Sequence, residues 1–278
     1  MKIRSVARHT LTRLGPPLTS VVRIEQRRRE GLSHPISRAR FLAHIKPPLL
    51  EIGPFADPCF TGPGVAYFDI LDQADLKRRA SEHMRDPDKC PQIDYVSATG
   101  DLGIVDRCFP TVFSSHVIEH QPDLISHLIK VEMLLSPGGS YCLAIPDKRY
   151  CFDHYAPEST LAEVDLAFAQ KRLVHTPAAV AFHHTQLTHD DPIRHWIKRN
   201  GRPGDLVQMS SEEVAADVRR AEQGQYVDVH AWMFTPLSFS SIVKALYERG
   251  QIELYPQTVY DTGFATSEFY AVLARSSK

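Results

Sequence analysis

Residues 111–145 read TVFSSHVIEHQPDLISHLIKVEMLLSPGGSYCLAI. Thr111–Ser115 has the apolar density of a buried strand, and the periodicity that follows predicts a helix over His116–Leu135. Ser136-Pro137-Gly138-Gly139 makes a turn, and Ser140–Ile145 is a strand stopped by Pro146. The same texture continues upstream. Ile93–Ala98 (IDYVSA), Val65–Leu71 (VAYFDIL) and Leu49–Gly53 (LLEIG) read as strands, with a helix over Gln73–Met84. Strands alternating with helices predict an α/β fold with a mainly parallel sheet covered on both faces. Such sheets bind ligands beyond the carboxyl ends of their strands, which here means just after Ile52, Phe68, Ala98, Phe113 and Ile145.

Four segments follow from the composition: a basic extension over 1–46, an α/β core over 47–153, a helical, His-rich cap over 154–227, and a closing segment over 228–278. In the cap, helices are expected at Ser159–Leu173, Pro192–Lys198 and Ser210–Gln223, the last opened by a capping box of Ser210 and Glu213. In the closing segment Thr235 reads as an N-cap with Pro236 at the first helical position, and Gly250 as the stop. Gln251–Thr258 and Glu268–Leu273 then read as two strands.

The 278 residues carry 32 Lys+Arg and 33 Asp+Glu with 43% hydrophobic residues, a balance that excludes a mainly disordered chain. No apolar run reaches the roughly 20 residues that a membrane span needs. Five scattered cysteines and the lack of an apolar leader point to a reducing, cytoplasmic setting. The near-zero net charge hides an asymmetry. Residues 1–46 hold eleven Lys/Arg and two acids, hence +9, against −10 for the rest. Such an arm is a solvated extension or a contact for an anionic membrane surface or another polyanion. Aromatics are not interleaved with its charges, which argues against nucleic acid.

At the strand ends the chemistry becomes specific. The turn after Glu51-Ile52-Gly53 exposes backbone amides, and Glu51 at the strand tip is suited to attract a cation. Asp69, after the second strand, is placed to accept hydrogen bonds from a ribose diol. Asp101 and Leu102 offer a carboxylate to an adenine amine and an aliphatic wall to its ring.

The series LLEIG, YFDILD, FSSHVIEHQPD and LLSPGGSYCLAIPDKRY resembles the class I S-adenosylmethionine-dependent methyltransferases over roughly residues 47–152. The resemblance implies a Rossmann-like, mainly parallel seven-stranded sheet closed by a C-terminal antiparallel hairpin, with S-adenosylmethionine as cofactor. Carried over residue by residue, Glu51 and Gly53 contact the methionine moiety, Asp69 the ribose, and Asp101 and Leu102 the adenine; Ser115 and His116 line the methyl-transfer site. One departure stands out: Gly53-Pro54-Phe55 lacks the second glycine of the usual turn. Similar methyltransferases with the PDKRY segment suggest a saccharide or surface-glycan acceptor. A hydroxyl acceptor needs a base, and His116, Asp147 and His154 are the candidates, with Lys148 or Arg149 placed to hold an anionic group.

Other readings compete. His116-Val117-Ile118-Glu119-His120 fits the H-x-x-E-H pattern of inverted zinc peptidases, with both histidines on one helical face. Its position between a strand end and a Pro-Gly-Gly turn argues against that, and leaves Glu119 and His120 as structural residues. The cap holds His175, His183, His184, His189 and His195 beside Asp190 and Asp191. They read as a surface cluster without metal, with a His/Asp metal site for acceptor hydroxyls as the alternative, and no residue is assigned to a metal. His230 and Trp232 are either pocket-lining or core residues. Two classes remain: a non-catalytic protein that keeps the cofactor fold as a binding platform, and a nucleotide-sugar or dinucleotide enzyme, for which Gly53-Pro54-Phe55-Ala56-Asp57 supplies too few glycines to cradle phosphate.

Overall fold

The computed structural model describes residues 31–206 and 209–276, so the basic extension lies outside the described residues as far as residue 30. Seven strands form one sheet: β1 (Leu49–Ile52), β2 (Val65–Asp69), β3 (Tyr95–Val96), β4 (Phe109–Ser115), β5 (Leu135–Pro146), β6 (Leu254–Tyr260) and β7 (Glu268–Arg275), in the order β3-β2-β1-β4-β5-β7-β6. The first five strands pair in parallel. β7 runs antiparallel to both β5 and β6. This is the mainly parallel sheet with an antiparallel C-terminal pair expected of the Rossmann-like methyltransferase fold. Strand order reverses between β1 and β4, where such sheets open a crevice at their carboxyl ends.

Both faces are buried because the strand side chains alternate and each set meets helices. One face puts Leu50, Ile52, Phe68, Val112, Leu143 and Ile145 against α3 (Leu124–Leu134) and α8 (Pro236–Glu248). The other puts Leu49, Phe113, Cys142 and Tyr270 under α1 (Arg38–His44), whose Phe41 stacks on Tyr270 with ring centroids 4.7 Å apart. α2 (Gln73–Glu82) caps the β2 side through Leu76 and Ala80.

Between β5 and α8 come α4 (Leu161–Ala169), α5 (Pro177–Gln186), α6 (Pro192–Trp196) and α7 (Ser211–Glu222). Val164 and Ala167 of α4 join the main core, whereas Val180, Ala221, Val227 and Val229 form a smaller one. The capping box at Ser210 and Glu213 forms, and α8 starts at Thr235 with Pro236 at its first position. Among the described residues no helix is long and apolar enough to cross a membrane.

Several segments differ from expectation: α5 falls where no helix is expected, and the strand expected over Ile93–Ala98 is reduced to β3, Tyr95–Val96. β5 begins at Leu135 rather than Ser140, because the chain after α3 pairs at once with Phe109, and the register shifts before Thr111. The helix expected from His116 begins at Leu124 instead. Pro122 cannot donate a helical hydrogen bond, and Asp123 caps the new start by accepting from Ser126 N–H at 3.0 Å. His116 itself has φ of +54°, and Ile118–His120 is a single 3-10 turn. The two histidines of H-x-x-E-H therefore do not share a helical face.

Candidate functional site

A cavity of about 420 Å³ opens at the carboxyl ends of β1, β2 and β4, a size typical of small-molecule sites. Its floor is the turn after β1. Gly53 has φ of +69°, and a Cβ there would stand 2.7 Å from Val117 Cγ2, so only glycine lets the turn pass beneath that side chain. Phe55 takes the left-handed conformation at φ of +45° and also lines the cavity. Such strain in a non-glycine residue persists only where the surroundings fix it. Asp69 lines the next wall. Its carboxylate accepts from Leu71 N–H at 3.1 Å, and burial pushes its pKa up against amide hydrogen bonds from Leu71, Ile70 and Phe55. Phe68, Ile70, Leu71, Leu76 and Leu102 add apolar lining, and Arg79, His83 and Arg85 add basic side chains.

At the other end stand His116, His120, Gln121 and Asp228. His116 Nε2 lies 3.0 Å from Glu268 Oε2, and its Nδ1 lies 3.6 Å from Glu119 Oε1. Burial disfavours its charged form, but Glu268 and Glu119 outweigh this and raise its pKa. Glu268 also takes Arg38 at 2.7 Å and the Tyr270 hydroxyl, which holds its pKa down at about 2 despite burial. Asp228 ties the cavity mouth together, with Arg79 Nη2 and His120 Nδ1 each 2.9 Å from its carboxylate.

Several sequence candidates sit elsewhere. Glu51 does not share a cleft with Asp69. It is buried on the opposite side of the sheet from Ile52, where its two oxygens accept from Cys59 N–H at 2.8 Å and Phe60 N–H at 3.1 Å, so it anchors the loop after the turn. Burial pushes its pKa up to about 7, against those same amides. Asp101 caps the turn at Leu102–Ile104 and pairs with Lys130 at 3.0 Å on the surface. Ser115 accepts from Arg38 at 2.9 Å. Neither is among the residues lining the cavity.

Asp147 cannot take a substrate proton from where it lies. It is fully buried, and its oxygens meet the Arg149 guanidinium and the Thr262 hydroxyl. That pairing also removes Arg149 as a free anion holder, and Lys148 donates to the His154 carbonyl at 3.0 Å. His154 is likewise away from the cavity. Its Nδ1 meets the Arg149 carbonyl at 2.8 Å and its ring stacks on His195.

The cap histidines do not form a surface cluster. His175 and His195 are buried, and the group divides between a His154–His195–His189 stack and a second set around His230. Trp232 belongs to the core and donates to the Gln121 carbonyl at 2.6 Å. Arg79 and Asp228 are not marked by any local pattern, because each reaches the cavity from a different part of the chain, and His120 lines it although its place in the H-x-x-E-H segment reads as structural.

No protein-family profile matches the chain, and no curated protein matches it either. Solved structures do. The CcbJ methyltransferase from Streptomyces caelestis is 11% identical, with 86% of this chain and 93% of that one covered at a TM-score of 0.43. The DhpI–SAH complex is 14% identical over 83% and 77%, at 0.40. A putative Zn-dependent alcohol dehydrogenase from Rhodobacter sphaeroides is 14% identical over 90% and 94%, at 0.45. Likenesses this distant leave function to the chain's own residues.

Proposed function

We propose that this chain is a methyltransferase that moves a methyl group from S-adenosylmethionine to a hydroxyl of an acceptor. The acceptor class is a saccharide, as the likeness of the PDKRY segment suggests. The observation that supports the reading is the cavity at the strand-order switch, where a glycine turn, the buried acid Asp69 and an apolar wall around Leu102 meet. Asp69 is positioned for the ribose hydroxyls and the apolar wall for the adenine ring. The sulfonium end then lies toward His116. The support comes from Asp69, Gly53 and Leu102; Glu51 keeps the turn in place from behind.

The donor's methyl is already activated, so the protein's tasks are alignment and exclusion of water. The acceptor oxygen attacks the methyl carbon as the carbon–sulfur bond breaks, sulfur leaves as a thioether, and the hydroxyl proton passes to a base. Of the three base candidates, His116 is the one that lines the cavity. Calorimetry tests the donor site. S-adenosylmethionine binds the wild-type chain, and Asp69→Ala weakens binding about 10- to 100-fold through loss of hydrogen bonds to a charged group. Absence of heat with the wild type overturns the reading.

The pH dependence of turnover tests the base. His116 must be neutral to take a proton, and Glu268 raises its pKa above the ordinary 6.5. Turnover therefore rises with pH along a limb lying above 6.5, and the limb moves to lower pH in Glu268→Gln. A profile without a limb in the histidine range removes His116 from the role.

A further inference from the structure

We propose that Glu119, His120 and His230 form a binding site for a divalent cation of the zinc type, placed against the acceptor end of the cavity. Glu119 is 0% exposed, and among the described residues neither of its carboxylate oxygens accepts a hydrogen bond. A buried carboxylate in that condition calls for positive charge beside it, and the nearest side-chain nitrogen is His116 Nδ1 at 3.6 Å. What surrounds it is a set of imidazoles. His120 Nε2 and His230 Nε2 each lie 4.0 Å from Glu119 Oε1. His230 Nδ1 is hydrogen-bonded to Asp153 at 2.6 Å, and His120 Nδ1 lies 2.9 Å from the Asp228 carboxylate. The carboxylate behind His230 fixes the tautomer that leaves Nε2 with its lone pair free, and the carboxylate beside His120 Nδ1 favours the same tautomer, the arrangement found behind metal-bound histidines.

The fold brings these groups together from distant parts of the chain. Ala231 and Trp232 donate their N–H groups to the Glu119 carbonyl at 2.7 and 3.1 Å, which pins the segment carrying His230 beside the turn carrying Glu119 and His120. The two rings meet edge to face with centroids 4.6 Å apart. One ligand atom from each of the three residues lies within 4.8 Å of the others. Tetrahedral zinc with bonds near 2.0–2.1 Å spaces its ligands about 3.3 Å apart, so small side-chain shifts close the set. Two imidazoles and one carboxylate suit zinc and its first-row neighbours better than magnesium or calcium, which prefer all-oxygen sets. This is not the H-x-x-E-H arrangement, because His116 is outside the triad and His230 replaces it.

Three protein ligands leave a fourth position open. Of the three residues His120 lines the cavity, so the site adjoins the acceptor end. This last step rests on the methyl-transfer reading: the cation would polarise the acceptor hydroxyl, whose proton passes to His116 as the new carbon–oxygen bond forms and the carbon–sulfur bond breaks. The binding site itself does not depend on that reading.

The test uses the full-length chain, stripped of metal with a chelator and titrated with Zn²⁺, Co²⁺ and Mg²⁺ separately. One equivalent of Zn²⁺ is expected to bind, Co²⁺ to give the visible bands of a low-coordinate site, and Mg²⁺ to give no heat. Glu119→Gln and His230→Gln are expected to weaken Zn²⁺ binding at least tenfold, with thermal melts confirming that they fold. His154→Gln, away from the triad, leaves it unchanged. No stoichiometric Zn²⁺ uptake, or uptake unaltered in both triad variants, overturns the site. S-adenosylmethionine is titrated into the metal-free chain in parallel. Zinc binding without donor binding supports the site while the donor reading falls, and donor binding without zinc overturns the site alone.

Discussion

Between pH 6.5 and about 5, His127 should cost the folded chain roughly 2 kcal/mol, and the loss should be absent from His127→Gln. Burial lowers the His127 pKa to about 3 from the ordinary 6.5. The buried ring belongs to the cavity lining and lies 3.1 Å from the Tyr141 hydroxyl, which in turn meets Ser114 Oγ at 2.7 Å. Lys130, the charged group acting on it, pushes in the same direction as burial. Below pH 6.5 the unfolded chain binds a proton that the folded chain refuses, down to the folded pKa near 3. Stability from this group is therefore complete above 6.5 and falls by about 1.4 kcal/mol for each pH unit below it. Glutamine keeps a partner for Tyr141 and does not titrate. Urea unfolding of both proteins at neutral pH and near pH 5 measures the difference. Equal pH dependence in the two would mean that His127 is solvated in the folded state.

Asp147→Ala should destabilise the fold by about 2–4 kcal/mol while leaving S-adenosylmethionine binding intact wherever the variant remains folded. The carboxylate is fully buried and takes two Arg149 nitrogens and the Thr262 hydroxyl. It thus joins the end of β5 to the segment between β6 and β7. Removing one member of such a pair strands the other without its partner. The Arg149 side chain is 40% exposed and keeps Asp261 at 3.4 Å, which holds the expected loss below that of a fully buried pair. Chemical denaturation gives the stability change and calorimetry the binding. A base would show the opposite pattern, with turnover lost and stability kept.

The contrast between Asp147 and Asp69 shows how far a strand-end rule reaches. Both were read as acids just past a strand, where ligands bind. Asp69 lines the cavity because β2 lies beside β1, next to the reversal of strand order. Asp147 lies beyond β5, where β7 and its connecting segment close in and supply an arginine and a threonine. The rule identifies positions in an open parallel sheet, but it is blind to which ends are later covered. Glu51 illustrates another gap. Leu49, Leu50, Glu51 and Ile52 are all buried, so local alternation gives no polar face to tell which way the carboxylate points.

The H-x-x-E-H segment was legible as chemistry and misread as geometry. Its residue types signalled metal ligands or a methyl-transfer wall, and the helical spacing assumed for them failed at Pro122. Glu119 and His120 gain their significance from His230, which follows them by more than a hundred residues. No spacing rule spans that distance.

What the amino-acid order determined by itself was the framework: strands and helices in alternation, caps at Ser210 and Thr235, the glycine that the turn after β1 requires, and the strand ends at which the cavity opens. These follow from interactions between near neighbours in the chain, whose geometry the backbone fixes. The tertiary structure alone decided which polar groups face the cavity and which are spent on each other. Burial and charge pairing depend on groups that only the completed sheet and its covering helices bring within a few ångströms.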